Sequence, residues 1–308
     1  MYRKRAARSR SNTLFGIILT LMHAASLAVI YVVTKQLVSV IAAEQVAFLY
    51  KFSVLIAIIP WCLKCGIKKV LHTKRIGLHF ARGVFSIIAN ICFVFALKAI
   101  PTADAAVITF LEPLPTLLIG ILYFKESITA SKIVSVACGI VGALFVIQPG
   151  FNAFNSSYVF LLFALICWAI NNSVIKILGD TEKTTTQLFY TTFFGSILSL
   201  PLTFRYSWDA LNVIHFKHVV VLAVFHLIHV IAFFRAFKFA DVSTIMPFDY
   251  TRLIFSGIFG YFILGEVPVG AKLLGYIFIV SGSLYLIYGE TKKRRLGEKE
   301  LKVETIIR

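Results

Sequence analysis

The chain alternates between long apolar runs and short polar connectors, and this pattern predicts ten membrane-crossing helices. Each run has close to the twenty or so apolar residues that an α-helix needs to cross the hydrocarbon core of a bilayer. The predicted spans are residues 13–33, 43–63, 76–99, 103–124, 130–148, 156–178, 185–204, 216–239, 242–265 and 270–289. The first run is too long for the core of a signal peptide, so we expect it to remain as the first helix.

The ninth run, from Val242 to Gly265, carries residues that a lipid-facing helix would not contain. It includes Pro247, Asp249 and Arg252, and Arg252 is near its middle. A charge at that depth costs about 3 kcal/mol on insertion scales, and such residues face a protein interior or a water-filled cavity. Asp249 and Arg252 are three residues apart, so they share one face of a helix. We therefore expect this face to line a polar site inside the protein.

The composition predicts an all-α integral membrane protein. Of the 308 residues, 59% are hydrophobic and only 15% are charged, which is too little charge to cover a soluble protein of this size. Alternation of polar and apolar residues is weak, which argues against a transmembrane β-barrel. The net charge is +17, and the positively charged residues lie beside the predicted spans. We therefore expect them to fix the orientation of the spans and to contact anionic lipids of the bilayer, and we expect no nucleic-acid partner.

Lysine and arginine are distributed unequally between the two sides of the predicted bundle. Twenty-four of the 31 lie on the side of the N-terminus and five on the opposite side, while Lys51 and Arg252 lie inside spans. Because such an excess marks the cytoplasmic side, both termini are predicted to be cytoplasmic, which requires an even number of spans. Residues 1–12 are then a basic cytoplasmic arm, and residues 290–308 are a charged cytoplasmic tail.

The two halves of the chain match each other at an offset of 140 residues. The matched pairs are Ala96 with Ala236, Lys98 with Lys238, Gly120 with Gly260, Glu126 with Glu266, Lys132 with Lys272, Gly142 with Gly282, and Leu144 with Leu284. Residues 13–150 and 151–289 are therefore predicted to be two five-helix repeats. Five is an odd number, so the second repeat enters the membrane inverted. Inverted repeats are typical of transporters, with the substrate site near the midplane between them; the alternative is a duplicated scaffold.

The order of several short motifs resembles the EamA-type branch of the drug/metabolite transporter superfamily over essentially the whole chain. The first copy contains Arg82, Ala96-Leu97, Ala105-Ala106, Pro113 and Glu126, and the second contains Ala236, Ala240-Asp241, Pro247 and Glu266. The stretch Pro247–Leu253, followed by Gly265–Pro268, is similar to a bacterial subgroup that includes S-adenosylmethionine uptake carriers. Family members often carry an arginine early in span two, where this chain has Lys51.

The resemblance implies a carrier of small organic solutes in the cytoplasmic (inner) membrane of a cell. We expect a secondary transporter that works by alternating access, with S-adenosylmethionine or an amino acid as the best candidate substrate. One alternative is a drug or metabolite exporter driven by proton antiport. Another is a membrane scaffold, or an enzyme without a recognisable catalytic motif. The sequence shows no set of catalytic residues and no phosphate-binding loop, so we expect neither an enzyme nor an ATP-driven pump. We also expect no cofactor. The carrier is expected to be a monomer or homodimer.

Four charged residues are predicted to form one midplane cluster: Glu112, Asp249, Arg252 and Lys51. Glu112 precedes two prolines that weaken its helix, and the 140-residue offset places it at the same repeat position as Arg252. Arg252 would bind a substrate carboxylate, and Glu112 or Asp249 would bind a substrate amine or a coupling proton. The alternative is a structural ion pair between spans four and nine.

Histidine and aromatic residues supply further candidates. His226 and His229 share a face of span eight and would relay protons or bind substrate, although histidines bonded to neighbouring helices are an equal alternative, and His23 is a weaker candidate. Trp168, Tyr250 and Tyr31 are candidates for the cavity wall, since aromatic faces suit a cationic solute. The sequence contains no metal-ligand constellation, and its five cysteines are expected to act as small apolar residues.

Two glutamates at span ends are expected to have matching structural roles. Glu126 would pair with Lys132, and its repeat equivalent Glu266 would pair with Lys272, each six residues further along the chain.

Overall fold

The computed structural model describes residues 2–123, 130–148, 155–179, 181–209, 213–239, 248–267, 270 and 272–307. Within these ranges the regular secondary structure is α-helical. The helices are α1 (Tyr2–Val38), α2 (Ala43–Cys65), α3 (Ile67–Leu71), α4 (Ile76–Ala99), α5 (Thr102–Thr109), α6 (Pro113–Leu122), α7 (Ala130–Ile147), α8 (Ser157–Gly179), α9 (Thr184–Thr203), α10 (Val213–Phe239), α11 (Thr251–Leu264) and α12 (Lys272–Ile307). The all-helical membrane class predicted from the sequence is confirmed.

Seven stretches in the described ranges are long and apolar enough to cross a membrane. They are Leu14–Val38, Ala43–Cys65, Ile76–Ala99, Thr102–Ile119, Ser157–Ile175, His215–Phe233 and Lys272–Gly289. Two shorter apolar helices, Ile133–Ile147 and Thr251–Leu264, lie at the predicted fifth and ninth spans. A helix, α9, also occupies the predicted seventh span. The count of ten crossings therefore stays a prediction, although a helix in the described ranges overlaps each predicted span.

Helix packing follows an internal two-fold pattern. Helix α1 packs extensively on α10, and α4 packs on α8, so each pair joins one helix from each half of the chain. By the repeat, α1 is equivalent to α8, and α4 is equivalent to α10. Exchanging equivalent helices therefore converts the α1–α10 contact into the α4–α8 contact. The same exchange converts the α1–α11 contact into the α6–α8 contact, and leaves the α2–α9 and α7–α12 contacts in place. The two halves therefore interlock around a pseudo-two-fold axis.

The α7–α12 contact is a seam of small residues. A Cβ atom added to Gly142 would lie 2.5 Å from Ile279 Cγ1, and one added to Gly282 would lie 2.5 Å from Cys138 Cβ. Small residues let helix backbones approach closely, which is the main source of packing energy between helices in lipid. Because Gly142 and Gly282 are repeat equivalents, the duplicated glycine serves both sides of one interface.

The core lies where the halves meet. The short helix α5 is fully buried in it, with Ala105, Ala106, Val107 and Ile108 inaccessible to solvent. Large apolar side chains such as Ile56, Phe262 and Ile277 are exposed on the outer surface. Exposed apolar side chains around a buried polar interior are the expected arrangement for a protein in lipid.

Candidate functional site

The predicted fourth span is broken in its middle, at Glu112. Helix α5 ends at Thr109, and α6 begins at Pro113, after a turn over residues 110–112. Pro113 and Pro115 have no N–H group, so the regular helical hydrogen bonds to the preceding turn cannot form. The Glu112 carboxylate is held by Asn172 on α8, whose Nδ2 donates to Oε1 at 2.5 Å. The break thus places the Glu112 carboxylate between the two halves of the chain.

The second half has an irregular segment at the equivalent position. Phe248 and Asp249 are helical, and a turn at Tyr250 separates them from α11, which begins at Thr251; the Thr251 hydroxyl donates to the Phe248 carbonyl at 2.6 Å. Asp249 Oδ2 lies 3.8 Å from the Arg252 guanidinium. That separation is too long for a direct hydrogen bond, and the Nε atom of Arg252 is buried without a hydrogen-bond partner. Arg252 therefore has donor capacity beyond its own ion pair.

Glu112, Asp249 and Arg252 line a single cavity of about 800 Å³. Both carboxylates act electrostatically on Arg252. The predicted grouping of these three residues is therefore present in the fold. Helices from both halves supply the walls, including α1, α4, α8, α10 and α12, so the cavity lies at the interface between halves.

Aromatic rings form much of the cavity wall. The predicted residues Trp168, Tyr250 and Tyr31 all line it, and the ring of Phe93 lies 5.4 Å from Trp168 and 5.0 Å from Tyr31. Phe110 stacks under the Arg252 guanidinium, with 4.4 Å from Cζ to the ring centroid. Such faces offer cation–π contacts to a bound solute as well as to Arg252.

Lys51 lies apart from the three-residue group. It is buried on α2, donates to the Ser86 hydroxyl at 2.7 Å and sits 5.5 Å above the Tyr50 ring; it is not among the cavity-lining residues that are described. Buried Arg82 lies on α4, one turn before Ser86. It donates to Asn171 on α8 and to Gln187 on α9. The two cations belong to a polar layer beside the cavity, because Arg82 and Ser86 share a helix face with cavity-lining residue 90.

The two histidines predicted on α10 have different positions. His229 lines the cavity, whereas His226 packs edge-on against Tyr50 with centroids 4.8 Å apart and is not among the described lining residues. Their rings are 5.3 Å apart. His23 on α1, considered the weaker candidate, lies in the cavity wall with Nε2 3.3 Å from Asp249 Oδ1.

Sequence reasoning missed two asparagines of the site. Asn90 lines the cavity, and its buried Oδ1 has no hydrogen-bond partner; Asn172 binds Glu112. Both residues are asparagines in the middle of apolar runs, where an amide is expensive unless it is bonded. That cost was the signal that could have identified them.

Ion pairs join the two halves at one end of the bundle. Lys35 at the end of α1 donates to Glu266 after α11 at 2.5 Å, and Glu266 accepts two further hydrogen bonds from Thr102 at the start of α5. Lys272 pairs with buried Asp104 at 2.6 Å. The predicted Glu266–Lys272 pair is therefore wrong, because each residue has a partner on another helix. Its counterpart, Glu126 with Lys132, lies outside the described side chains.

Comparison with known proteins decides the family. The model of the EamA-like transporter family matches this chain twice, at residues 14–148 and 155–288. The chain belongs to the EamA-like transporter family. The double match confirms the internal duplication, and membership makes this EamA-type protein a multi-pass membrane transporter of small molecules.

Relatives of this EamA-type transporter are named for different solutes. The S-adenosylmethionine uptake transporter of Rickettsia bellii is 27% identical over 261 residues, which cover 85% of this chain and 89% of the relative. The riboflavin transporter of Vibrio cholerae is 26% identical, covering 78% and 81%. The pseudopaline exporter CntI of Pseudomonas aeruginosa is 20% identical, covering 90% and 97%. A solved structure at 19% identity superposes with a TM-score of 0.62 over 93% of this chain and 99% of its own, which supports the fold.

Proposed function

We propose that this EamA-type protein is a secondary active transporter that moves a small organic cation or zwitterion across the cytoplasmic membrane. The observation that carries the proposal is the 800 Å³ cavity between the halves, lined by one guanidinium, two carboxylates and several aromatic rings. Its volume is within the range of about 300–1,000 Å³ that is typical of small-molecule sites. The two halves would lie inverted in the membrane, with both termini cytoplasmic, and would rock about the cavity to expose it alternately.

The arrangement of charges suits a substrate with a carboxylate and a cationic centre. Arg252 has unsatisfied donor capacity for a carboxylate, while Glu112 and Asp249 would attract a positive group. Trp168, Phe93 and neighbouring rings would contact a planar or sulfonium-bearing part of the solute. S-adenosylmethionine has all three features. The 27% identity to S-adenosylmethionine uptake transporters also supports it as the first candidate, with an amino acid as the second.

A proton-driven exporter is the second candidate function. It is favoured by the similarity to the pseudopaline exporter over 90% of this chain and by the histidines and carboxylates beside the cavity. The two candidates differ in the direction of net flux under an imposed pH gradient.

Counterflow in proteoliposomes tests the proposal. We expect labelled S-adenosylmethionine to exchange into vesicles that are preloaded with the unlabelled compound, and excess riboflavin to leave the exchange unaffected. Glu112→Gln, Asp249→Asn and Arg252→Ala should each reduce exchange at least tenfold, whereas exposed Lys98→Gln should not. Normal exchange in all three folded cavity variants would reject the assignment of the site, and exchange of riboflavin in preference to S-adenosylmethionine would reject the substrate.

A further inference from the structure

His23 lies on α1 and packs against α10 and the segment before α11. Its side chain is only 5% exposed and lines the cavity. Its ring stacks on Phe233 with centroids 4.6 Å apart and lies 4.4 Å from the ring of His229. Aromatic rings therefore pack against the imidazole, and its two nitrogen atoms lie near groups on other elements.

Both ring nitrogens of His23 face hydrogen-bond acceptors. Nδ1 lies 3.2 Å from the backbone carbonyl oxygen of His229, and Nε2 lies 3.3 Å from Asp249 Oδ1, a buried oxygen that no described donor reaches with hydrogen-bond geometry. A carbonyl oxygen can only accept, so Nδ1 must carry a hydrogen. Nε2 then meets a carboxylate oxygen. That contact is attractive only when a second proton is present, either on Nε2 or on the carboxyl group.

An attractive contact at both nitrogens therefore requires the His23–Asp249 pair to hold one proton more than a neutral imidazole beside a carboxylate. Among the described residues, the charged and titratable groups around it are Arg252 on α11, His229 and its neighbour His226 on α10, and Glu112 on the cavity wall. With this proton bound, the pair is neutral overall, and Arg252 and Glu112 cancel each other. The empty cavity is then electrically balanced, which a membrane interior favours.

We propose that this proton is exchanged for the positive charge of the substrate, which makes the His23–Asp249 pair the coupling site of the transporter. The inference rests on the proposed function. A solute of net charge +1 entering the balanced cavity would leave one uncompensated buried charge. Release of the proton from the pair to cavity water leaves neutral His23 and ionised Asp249, which restores the balance. Each transport cycle would then exchange one cation for one proton.

The proposal distinguishes two chemically similar ligands. S-adenosylmethionine has a sulfonium, a carboxylate and an ammonium group, with net charge +1. S-adenosylhomocysteine replaces the sulfonium with a neutral thioether and has net charge zero. Binding of the first should release a proton, and binding of the second should not. Calorimetry of the full-length protein at pH 7 in two buffers with different ionisation enthalpies measures the number of protons released.

Variants of the pair provide the second half of this test. His23→Gln can still donate a hydrogen bond to the His229 carbonyl but cannot hold the coupling proton. We expect it to bind S-adenosylmethionine without proton release and to lose the pH dependence of exchange. His72→Gln is the matched control, because His72 is exposed between α3 and α4. Equal proton release by both ligands, or undiminished release in folded His23→Gln, would overturn the proposal.

A ligand-free measurement separates this inference from the choice of substrate. Solid-state NMR on bilayer samples with ¹⁵N-histidine and ¹³C-aspartate should show, at neutral pH, either an imidazolium or a protonated carboxyl signal that disappears in both His23→Gln and Asp249→Asn. A neutral His23 beside an ionised Asp249 in the empty protein would overturn the proposal, whichever substrate the transporter carries. If instead the NMR signal is present and S-adenosylmethionine does not bind, the coupling site is supported and the substrate assignment fails.

Discussion

The rings of Phe110 and Tyr250 touch, with centroids 4.5 Å apart, although the two residues occupy the same position in the two halves of the chain. Residues related by a two-fold axis contact each other only when they lie close to that axis. Both residues line the cavity, so the axis runs beside it. Two positions further along, the same equivalence relates Glu112 to Arg252. The duplication has thus placed opposite charges on the two sides of one site.

Replacement of Arg252 separates charge from geometry. Arg252→Lys keeps the charge but loses the planar group that stacks 4.4 Å from the Phe110 ring, so it should bind a carboxylate less tightly. Loss of a charge-assisted hydrogen bond costs about 1.5–3 kcal/mol, which corresponds to a rise of about 10- to 150-fold in the apparent KM. The concentration dependence of uptake measures this change. An unchanged KM in Arg252→Lys would mean that the guanidinium does not contact the substrate.

The Lys35–Glu266 pair lies at the end of the bundle where α1 ends and α5 begins. Its removal should favour the conformation that is open at this end. Glu266→Gln weakens a pair at 2.5 Å that joins the two halves, and its partly exposed side chains limit the effect to about 1 kcal/mol, or about fivefold in population. A cysteine at the cavity residue Thr34, in a background without native cysteines, should then react faster with a membrane-impermeant maleimide added from this side.

Lys98→Gln is the control for the Glu266 experiment, because Lys98 is exposed at the same end of the bundle. Equal labelling rates in Glu266→Gln and Lys98→Gln would show that the ion pair does not hold this end closed.

Asp104 should be among the most sensitive positions for folding. Its fully buried carboxylate accepts hydrogen bonds from Tyr158 and Tyr276 and pairs with Lys272 at 2.6 Å. Asp104→Ala leaves these donors without an acceptor and should cost about 3–5 kcal/mol of stability. Adding Lys272→Met removes the uncompensated charge, so the double variant should be more stable than Asp104→Ala alone. Denaturant titration in detergent micelles measures the stability of both variants; a double variant no more stable than Asp104→Ala would mean that the uncompensated Lys272 charge is not the source of the loss.

The α7–α12 seam should not tolerate larger side chains. Gly142→Leu forces side-chain atoms into the space of Ile279 and of the Gly275 carbonyl, so it should lose about 1–3 kcal/mol of stability or more. Gly77→Leu is the matched control, because a Cβ atom there has nothing within 4 Å. Thermal unfolding in detergent compares the two variants. Similar melting temperatures would show that the helices separate easily enough to admit the side chain.

The sequence alone was sufficient for the membrane class, the duplication and the presence of a charged interior site. These properties depend on local signals: the length of apolar runs, the repetition of Gly, Lys and Glu at one offset, and the cost of placing Glu112, Asp249 and Arg252 in lipid. The same reasoning located the weak point of the fourth span, because the effect of Pro113 and Pro115 on a helix is also local.

Only the tertiary structure decided which polar residues meet. It separated Lys51 from the cavity, paired Glu266 with Lys35 instead of Lys272, and placed His23 against Asp249, more than 200 residues away in the chain. Long-range partners depend on how helices rotate and pack, and several rotations of an apolar helix satisfy the same hydropathy pattern. Burial of a charge can therefore be predicted from the sequence, whereas the group that compensates it is known only once the helices have been assembled.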